Sequence, residues 1–225
     1  NGIEGTWNFF NEWDVIDERY HRRNWRDGRQ MSRSFRFIHS FGIELIILKT
    51  ELLENRLIVL DLEDSKKLFS QGYYGKPIGI PKPKLNEIDV PLILDLIEGY
   101  YLMSKSKIQI YKNKKKITIK KMFEICQEQY HNFEKKFQVY KDFRDKGYIV
   151  NPGIKFGCDF AVYQKGPGID HAPFLVQVYN RNENMASTDI VLAGRLATSV
   201  KKQFILAIPS GKEKVDYVAL DWWKA

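Results

Sequence analysis

Cysteine is almost missing from this chain, and the two that are present, Cys126 and Cys158, have no CxxC spacing. Their scarcity excludes a disulfide framework and a cysteine-based zinc site. Both fall in apolar patterns, one helical and one strand-like, so free buried thiols in a reducing compartment are expected. No window reaches the roughly 18 apolar residues of a membrane span, and no secretory signal opens the chain, so a cytoplasmic protein without a membrane partner is expected. The first residue is Asn1 rather than Met, which leaves room for a segment upstream. Negative charge is also in deficit: 28 Asp plus Glu face 36 Lys plus Arg, giving +8 and a pI near 9.3. That balance favours a polyanionic partner, although many basic surfaces are only solvated.

The chain is not a disordered tail. Its 225 residues, 44% hydrophobic and 14% aromatic, suffice for a packed protein of one or two domains. Residues 1–55 differ from the rest. An aromatic and acidic opening is followed by seven arginines between Arg19 and Arg36, interleaved with Tyr20, Trp25 and Phe35. Such a run either clamps nucleic acid or forms one wet face of a helix, the second being the commoner outcome. Residues 43–48 read as a short strand.

From Arg56 the pattern predicts a strand over 56–62, a helix over 64–70, and a turn-rich loop holding Pro77, Pro81 and Pro83. A helix capped by Asp89, with Leu92, Leu96, Ile97 and Tyr100 inward, is expected next. A hairpin turns at Asn113. The six lysines between Lys112 and Lys121 make it strongly positive, either as a guarded sheet edge or as a phosphate contact. One long helix is expected from Ile119 to Lys146, stopped by Gly147. Strands follow over 148–154, 156–163 and 174–180. A helix opening at Ser187 or Thr188 carries Ile190, Val191, Leu196, Ala197 and Val200 inward, and two strands over 203–208 and 215–222 close the chain. Helix, three strands, helix and two strands make a small α/β sheet with helices packed on it.

Alternation on the strand 156–163 puts Phe156, Cys158, Phe160 and Val162 on one face and Asp159, Ala161 and Tyr163 on the other. The following loop is rich in Gly and Pro and offers His171, while Lys201 and Lys202 stand at the end of the later helix. Loops and element ends are where reactive groups usually stand. Singly, each has a plain explanation as a packed tyrosine, a wet histidine or a dipole-complementing lysine.

Context changes that reading. The blocks 137–150, with Tyr140, Phe143 and Gly147, then 153–163, with Lys155, Phe156, Gly157, Asp159 and Tyr163, then 166–171, with Gly166, Pro167 and His171, then 199–208, with Lys201 and Lys202, resemble in order the catalytic domain of archaeal tRNA-splicing endonucleases. Residues 56–136 look like that family's amino-terminal domain, and residues 1–55 do not match it. The resemblance implies an α/β (α+β) fold in three parts. These are an extension over 1–55, a small α/β domain over 56–136, and a restriction-endonuclease-like domain over 137–225 with a mixed sheet flanked by helices. It also implies cleavage of precursor tRNA at a bulge-helix-bulge motif. In that reading Tyr163 is the general base on the ribose 2′-hydroxyl, His171 the general acid at the leaving 5′-oxygen, and Lys202 the stabiliser of the phosphorane. A free tyrosine, with a pKa of about 10, needs a neighbouring cation to act as a base near neutrality. The products would be a 2′,3′-cyclic phosphate and a 5′-hydroxyl, with no metal or other cofactor. Arg195, seven residues before Lys202, matches an arginine that stacks on a bulged base. Trp222 stands where the family can place a second such arginine, and Lys155 and Lys201 add positive charge for RNA.

Two rivals are set against this. A metal-dependent DNA nuclease on the related fold needs clustered carboxylates. Asp159 is available, but the strand from Phe174 to Asn180 lacks Glu-x-Lys. A noncatalytic structural subunit or RNA-binding module on the same fold is disfavoured by the presence of all three of Tyr163, His171 and Lys202. In the family an acidic loop between the final two strands inserts into a basic pocket of another subunit. Here that turn runs from Pro209 to Lys214 with Glu213 as its only carboxylate. The chain is therefore expected to accept an acidic loop from a second structural subunit or a fused degenerate copy, in an oligomer with two active sites.

Overall fold

The computed structural model describes residues 47–220 except 82, 84–87, 168, 170, 171, 200, 201 and 212, and within the last described helix it describes no side chain beyond 195. The arginine-rich run and residues 43–46 therefore lie outside the described residues. Two sheets divide the described chain. The first has strand order β3-β4-β2-β1-β5-β6, built from β1 (Leu48–Leu53), β2 (Arg56–Val59), β3 (Lys76–Pro77), β4 (Leu92–Leu94), β5 (Ile108–Lys112) and β6 (Lys115–Lys116). Strict alternation in β1 turns Leu48, Thr50 and Leu52 inward. β1 meets the strand expected over 43–48 only at Leu48, so that expectation otherwise falls outside the described residues and on Ile47, which is not strand; β1 is paired antiparallel with β2 and parallel with β5.

Helices α1 (Leu62–Ser70) and α2 (Leu96–Ser104) belong to this first unit. The helix expected from Asp89 is instead strand β4 followed by α2. The apolar run 92–97 suits either period over so short a length. Pairing of Leu92, Ile93 and Leu94 with β2 decides for strand, and Asp95, whose carboxylate accepts from the Ile97 N–H at 3.1 Å, caps the helix in place of Asp89. Gly99 lets α2 touch the sheet: a Cβ there would stand 1.9 Å from Leu57 Cδ1.

The single helix expected over 119–146 is two, α3 (Ile119–Gln129) and α4 (Phe133–Asp145). Asn132 between them takes the left-handed conformation at φ 57°, which asparagine tolerates better than most residues. Gly147, at φ 87°, ends α4 as expected.

The second sheet runs β11-β10-β9-β8-β7, from β7 (Ile149–Pro152), β8 (Phe160–Tyr163), β9 (Phe174–Val178), β10 (Gln203–Ser210) and β11 (Lys214–Leu220). Only β9 and β10 are parallel, joined through α5 (Ser187–Ser199). Tyr140 and Phe143 of α4 pack on one face against Phe160 and Tyr217. The α/β class expected from the sequence is the one observed. Val191 is a correction: expected inward, it is 50% exposed on α5, with Leu192 beside it at 63%.

Candidate active site

The site is assembled by strand register. Val162 of β8 pairs with Phe174 of β9, and Phe174 pairs with Gln203 of β10. One step outward along these ladders, the same row places Tyr163, Pro173 and Lys202 side by side at one end of the sheet. The Gln203 N–H donates to the Pro173 carbonyl at 2.8 Å, so the pairing holds to that end. Parity places the three on the face whose next row inward is Ala161, Leu175, Phe204 and Leu220. Tyr163 packs, half-buried, against the apolar cluster of that face. Two strand spacings put its Cα about 10 Å from that of Lys202, within the combined reach of the two side chains.

Lys202 is half-buried, and its ammonium is held from two sides. Its Nζ donates to the Ala172 carbonyl and lies 5.6 Å from the Phe156 ring centroid. Ala172 directly follows His171, which lies outside the described residues, as do Lys201 and Trp222. Lys202 and Tyr163 thus stand two strands apart at one end of the sheet, and an ammonium near a phenol can supply the cation that a tyrosine base needs and stabilise a developing phosphorane.

The sequence pattern puts Phe156 on a strand face with Cys158, Phe160 and Val162. Phe156 stands instead in a one-turn 3-10 helix (Ile154–Phe156), closed by Gly157 at φ 65°. The signal was the glycine pair at 153 and 157. A Cβ on Gly153 would sit 2.5 Å from Cys158 Sγ, so only glycine permits this approach. Lys155 is exposed on the same turn.

The loop after Tyr163 is tied to the first unit. Gly166 has φ 130°, and a Cβ on it would come within 2.6 Å of the Tyr73 ring. Tyr73 is itself buried and left-handed, at φ 54°. No sequence pattern singled out this contact, because it joins segments 93 residues apart. That interval is simply the difference between positions 166 and 73.

Arg195 is exposed on α5. The helix ends at Ser199, so Lys202 belongs to the approach to β10, and the seven-residue interval does not place the two on one helical face. Asp159 is committed to the fold: it pairs with Lys136 Nζ at 2.7 Å and accepts the Val178 N–H at 2.8 Å. Both cysteines are free and buried, as expected. Burial pushes the Cys158 thiol up to about 11 and that of Cys126 up to about 12, which makes both poor nucleophiles. A cleft of about 350 Å³ between the two sheets, lined by Arg56, Asp95, Glu98, Lys136 and Asp159 among others, contains neither Tyr163 nor Lys202.

Residues 133–217 match the tRNA intron endonuclease catalytic C-terminal domain, and residues 48–123 match the N-terminal domain of the same family. A protein named tRNA-splicing endonuclease from Sulfurisphaera tokodaii is 42% identical over 77% of this chain and 98% of its own length. Proteins of the same name from Hyperthermus butylicus and Saccharolobus solfataricus are each 39% identical over 79% of this chain, and over 99% and 100% of their own lengths.

Proposed function

Since the chain belongs to the tRNA intron endonuclease family, we propose that it is a tRNA-splicing endonuclease whose own Tyr163, His171 and Lys202 cut precursor tRNA at the two bulges of a bulge-helix-bulge motif. Tyr163 takes the proton of the ribose 2′-hydroxyl, and the resulting alkoxide attacks the adjacent phosphorus. Lys202 stabilises the phosphorane charge. His171 protonates the departing 5′-oxygen, leaving a 2′,3′-cyclic phosphate and a 5′-hydroxyl. Because the nucleophile belongs to the RNA, neither water activation nor a metal ion is called for. Arg195, Trp222, Lys155 and Lys201 contact the RNA around the scissile phosphate.

The observation that carries this reading is the shared row of Tyr163 and Lys202, with the Lys202 ammonium bonded to the carbonyl next to His171. The metal-dependent rival is weakened because Asp159 is already neutralised by Lys136. A noncatalytic subunit would have no use for a buried-edge lysine held in this way. Single-turnover cleavage of an intron-bearing precursor in EDTA, with the ends identified by chemistry, tests the proposal. Full activity with cyclic phosphate ends supports it, whereas binding without cleavage favours the module.

For assembly, the last hairpin supports a chain that receives rather than donates a loop. It closes at Ser210 opposite Lys214, and Gln138 of α4 donates to the Gly211 and Lys214 carbonyls at 3.3 and 3.0 Å. A turn this short, bound to its own helix, has little length to offer a neighbour. The donor is then a second structural subunit or a fused degenerate copy, in an oligomer with two active sites. Sedimentation of the chain alone decides: an active homotetramer that survives Glu213→Lys would refute this assembly.

A further inference from the structure

We propose that the β5–β6 hairpin and the first turn of α3 form a second RNA-contacting surface, one that holds the phosphate backbone of the substrate outside the segment being cut. This rests on the RNA-cleaving reading above, but it concerns the sheet that does not carry Tyr163 and Lys202.

Between residues 112 and 121 there are six lysines and no carboxylate, the first being Glu124. All six are exposed. Lys121 pairs with Glu124 at 2.9 Å, while Lys112, Lys114, Lys115, Lys116 and Lys120 have no ion pair among the described residues. The surface is rigid. Ile110 and Ile117 are buried beneath it, their backbones joined by an N–H to carbonyl bond of 2.9 Å, and Gln109 Nε2 donates to both carbonyls at 3.1 Å. It is also concave: Lys112, Lys115, Lys116, Thr118 and Lys121 line an open groove of about 400 Å³.

Guarding the sheet edge explains part of this, since β6 is the edge strand and carries Lys115 and Lys116. It does not explain the others. Lys114 has φ 63° in the two-residue turn, a conformation for which glycine is the favoured residue. Lys120 and Lys121 occupy the first turn of α3, which holds no acidic residue, although the helix dipole there favours carboxylates and opposes ammonium groups. At three positions, then, lysine stands where local stability prefers something else. Such departures mark positions held for function. The common factor is positive charge on the hairpin turn and helix start that flank one groove, which Lys121 lines together with Lys112, Lys115 and Lys116, and the partner it fits is a polyphosphate backbone. Contacts of this kind position an RNA without reading its sequence.

The test compares two RNAs on the full chain: an intron-bearing precursor tRNA, and a short helix flanked by two three-nucleotide bulges. Dissociation constants are measured for both across a KCl series in EDTA, together with the single-turnover rate at saturation. Replacing Lys114, Lys115 and Lys116 by Glu is expected to weaken precursor binding about 10- to 100-fold and to cut the salt slope by about 2. Affinity and saturated rate on the short RNA stay unchanged. Because charge reversal can disturb folding, Gln at the same three positions and the single Lys114→Gly serve as controls. Lys114→Gly is expected to raise the melting temperature while weakening precursor binding, a split that edge protection alone does not produce. An unchanged precursor affinity and slope, or an equal loss on both RNAs, overturns the proposal. A wild-type chain that binds both RNAs but cuts neither counts against the catalytic reading instead, while the binding slopes still judge the hairpin.

Discussion

Arg144→Met should destabilise the protein more at pH 8 than at pH 5, by up to about 2 kcal/mol. Arg144 lies on α4, and its buried guanidinium donates to Tyr140 Oη at 3.0 Å, to the Gly72 carbonyl at 2.7 Å, to the Val150 carbonyl at 3.2 Å and to Glu98 at 3.3 Å. It also stacks 4.3 Å from the Tyr74 ring centroid. One side chain thus joins the helix packed on the second sheet to the loop at 72–74 and to helix α2. Burial raises the Glu98 carboxyl from 4.5 to about 7 even though Arg144 opposes the rise. A carboxyl raised in the fold stabilises it while protonated. That contribution is complete below 4.5, is lost as pH rises through 7, and amounts to about 3 kcal/mol. At pH 8 Glu98 is ionised and depends on Arg144, so removing the guanidinium should cost about 3–5 kcal/mol. At pH 5 the carboxyl in the variant is protonated, and only the acceptors on Tyr140, Gly72 and Val150 lose their donor, at about 1 kcal/mol each. Urea unfolding followed by far-ultraviolet circular dichroism, at one protein concentration and both pH values, measures the difference. Adding Glu98→Gln should recover part of the loss at pH 8 and little at pH 5. Equal losses at the two pH values, with no recovery in the double variant, would refute the reasoning.

His171→Ala and Lys202→Ala should each lower single-turnover cleavage about 100- to 10,000-fold while leaving the fold intact; wild-type rates in either would remove that residue from the mechanism. Phe156→Leu should reduce the saturated rate rather than affinity, since the ring lies 5.6 Å from the Lys202 ammonium, and Phe156→Tyr should restore it; a loss confined to affinity contradicts this. Arg195→Ala should weaken cleavage in a way that a higher enzyme concentration partly restores, so a loss wholly in the saturated rate sinks the base-clamp role. Gly166→Ala should displace the loop that leads to His171, at a cost of about 100-fold in rate, and Tyr73→Ala in the same chain should relieve part of it by removing the ring; an unaffected Gly166→Ala enzyme would show that the contact is dispensable.

What was legible in the sequence depended on how local each determinant is. Asn113 and Gly147 announced their turns because a left-handed conformation is a property of one residue. The division of 119–146 into two helices was hidden, because nothing between Gln129 and Phe133 forbids helix. The break takes shape in three dimensions, where the Tyr130 hydroxyl bonds to Asp95, the cap of α2. The same remoteness concealed β4, whose run became a strand through pairing with β2 thirty-odd residues earlier in the chain. Tyr163, His171 and Lys202 could be named from the order of their blocks, but neither pattern nor spacing placed Phe156 under the ammonium. That contact needs the chain to leave β7 at Gly153, turn through 154–156 and enter β8 only at Phe160.

The positions that sequence could not foresee share a feature that bears on how the site is kept. Tyr73 with Gly166, and Arg144 with Gly72, tie the first unit to the second through the same short loop at 72–74. One tie holds the loop that follows Tyr163; the other holds the helix beneath the sheet on which Tyr163 and Lys202 stand. Tyr73 keeps a left-handed backbone that is costly for an aromatic residue, and such strain persists only where surrounding contacts over-determine it. Here those contacts are the Phe69 ring at 5.1 Å between centroids and the Gly166 backbone. In the mechanism proposed above, the segment at 72–74 bears on the chemistry through its contact with the loop after Tyr163. Strain placed at that junction explains why a substitution at Gly166 should slow cleavage more than it unfolds the chain.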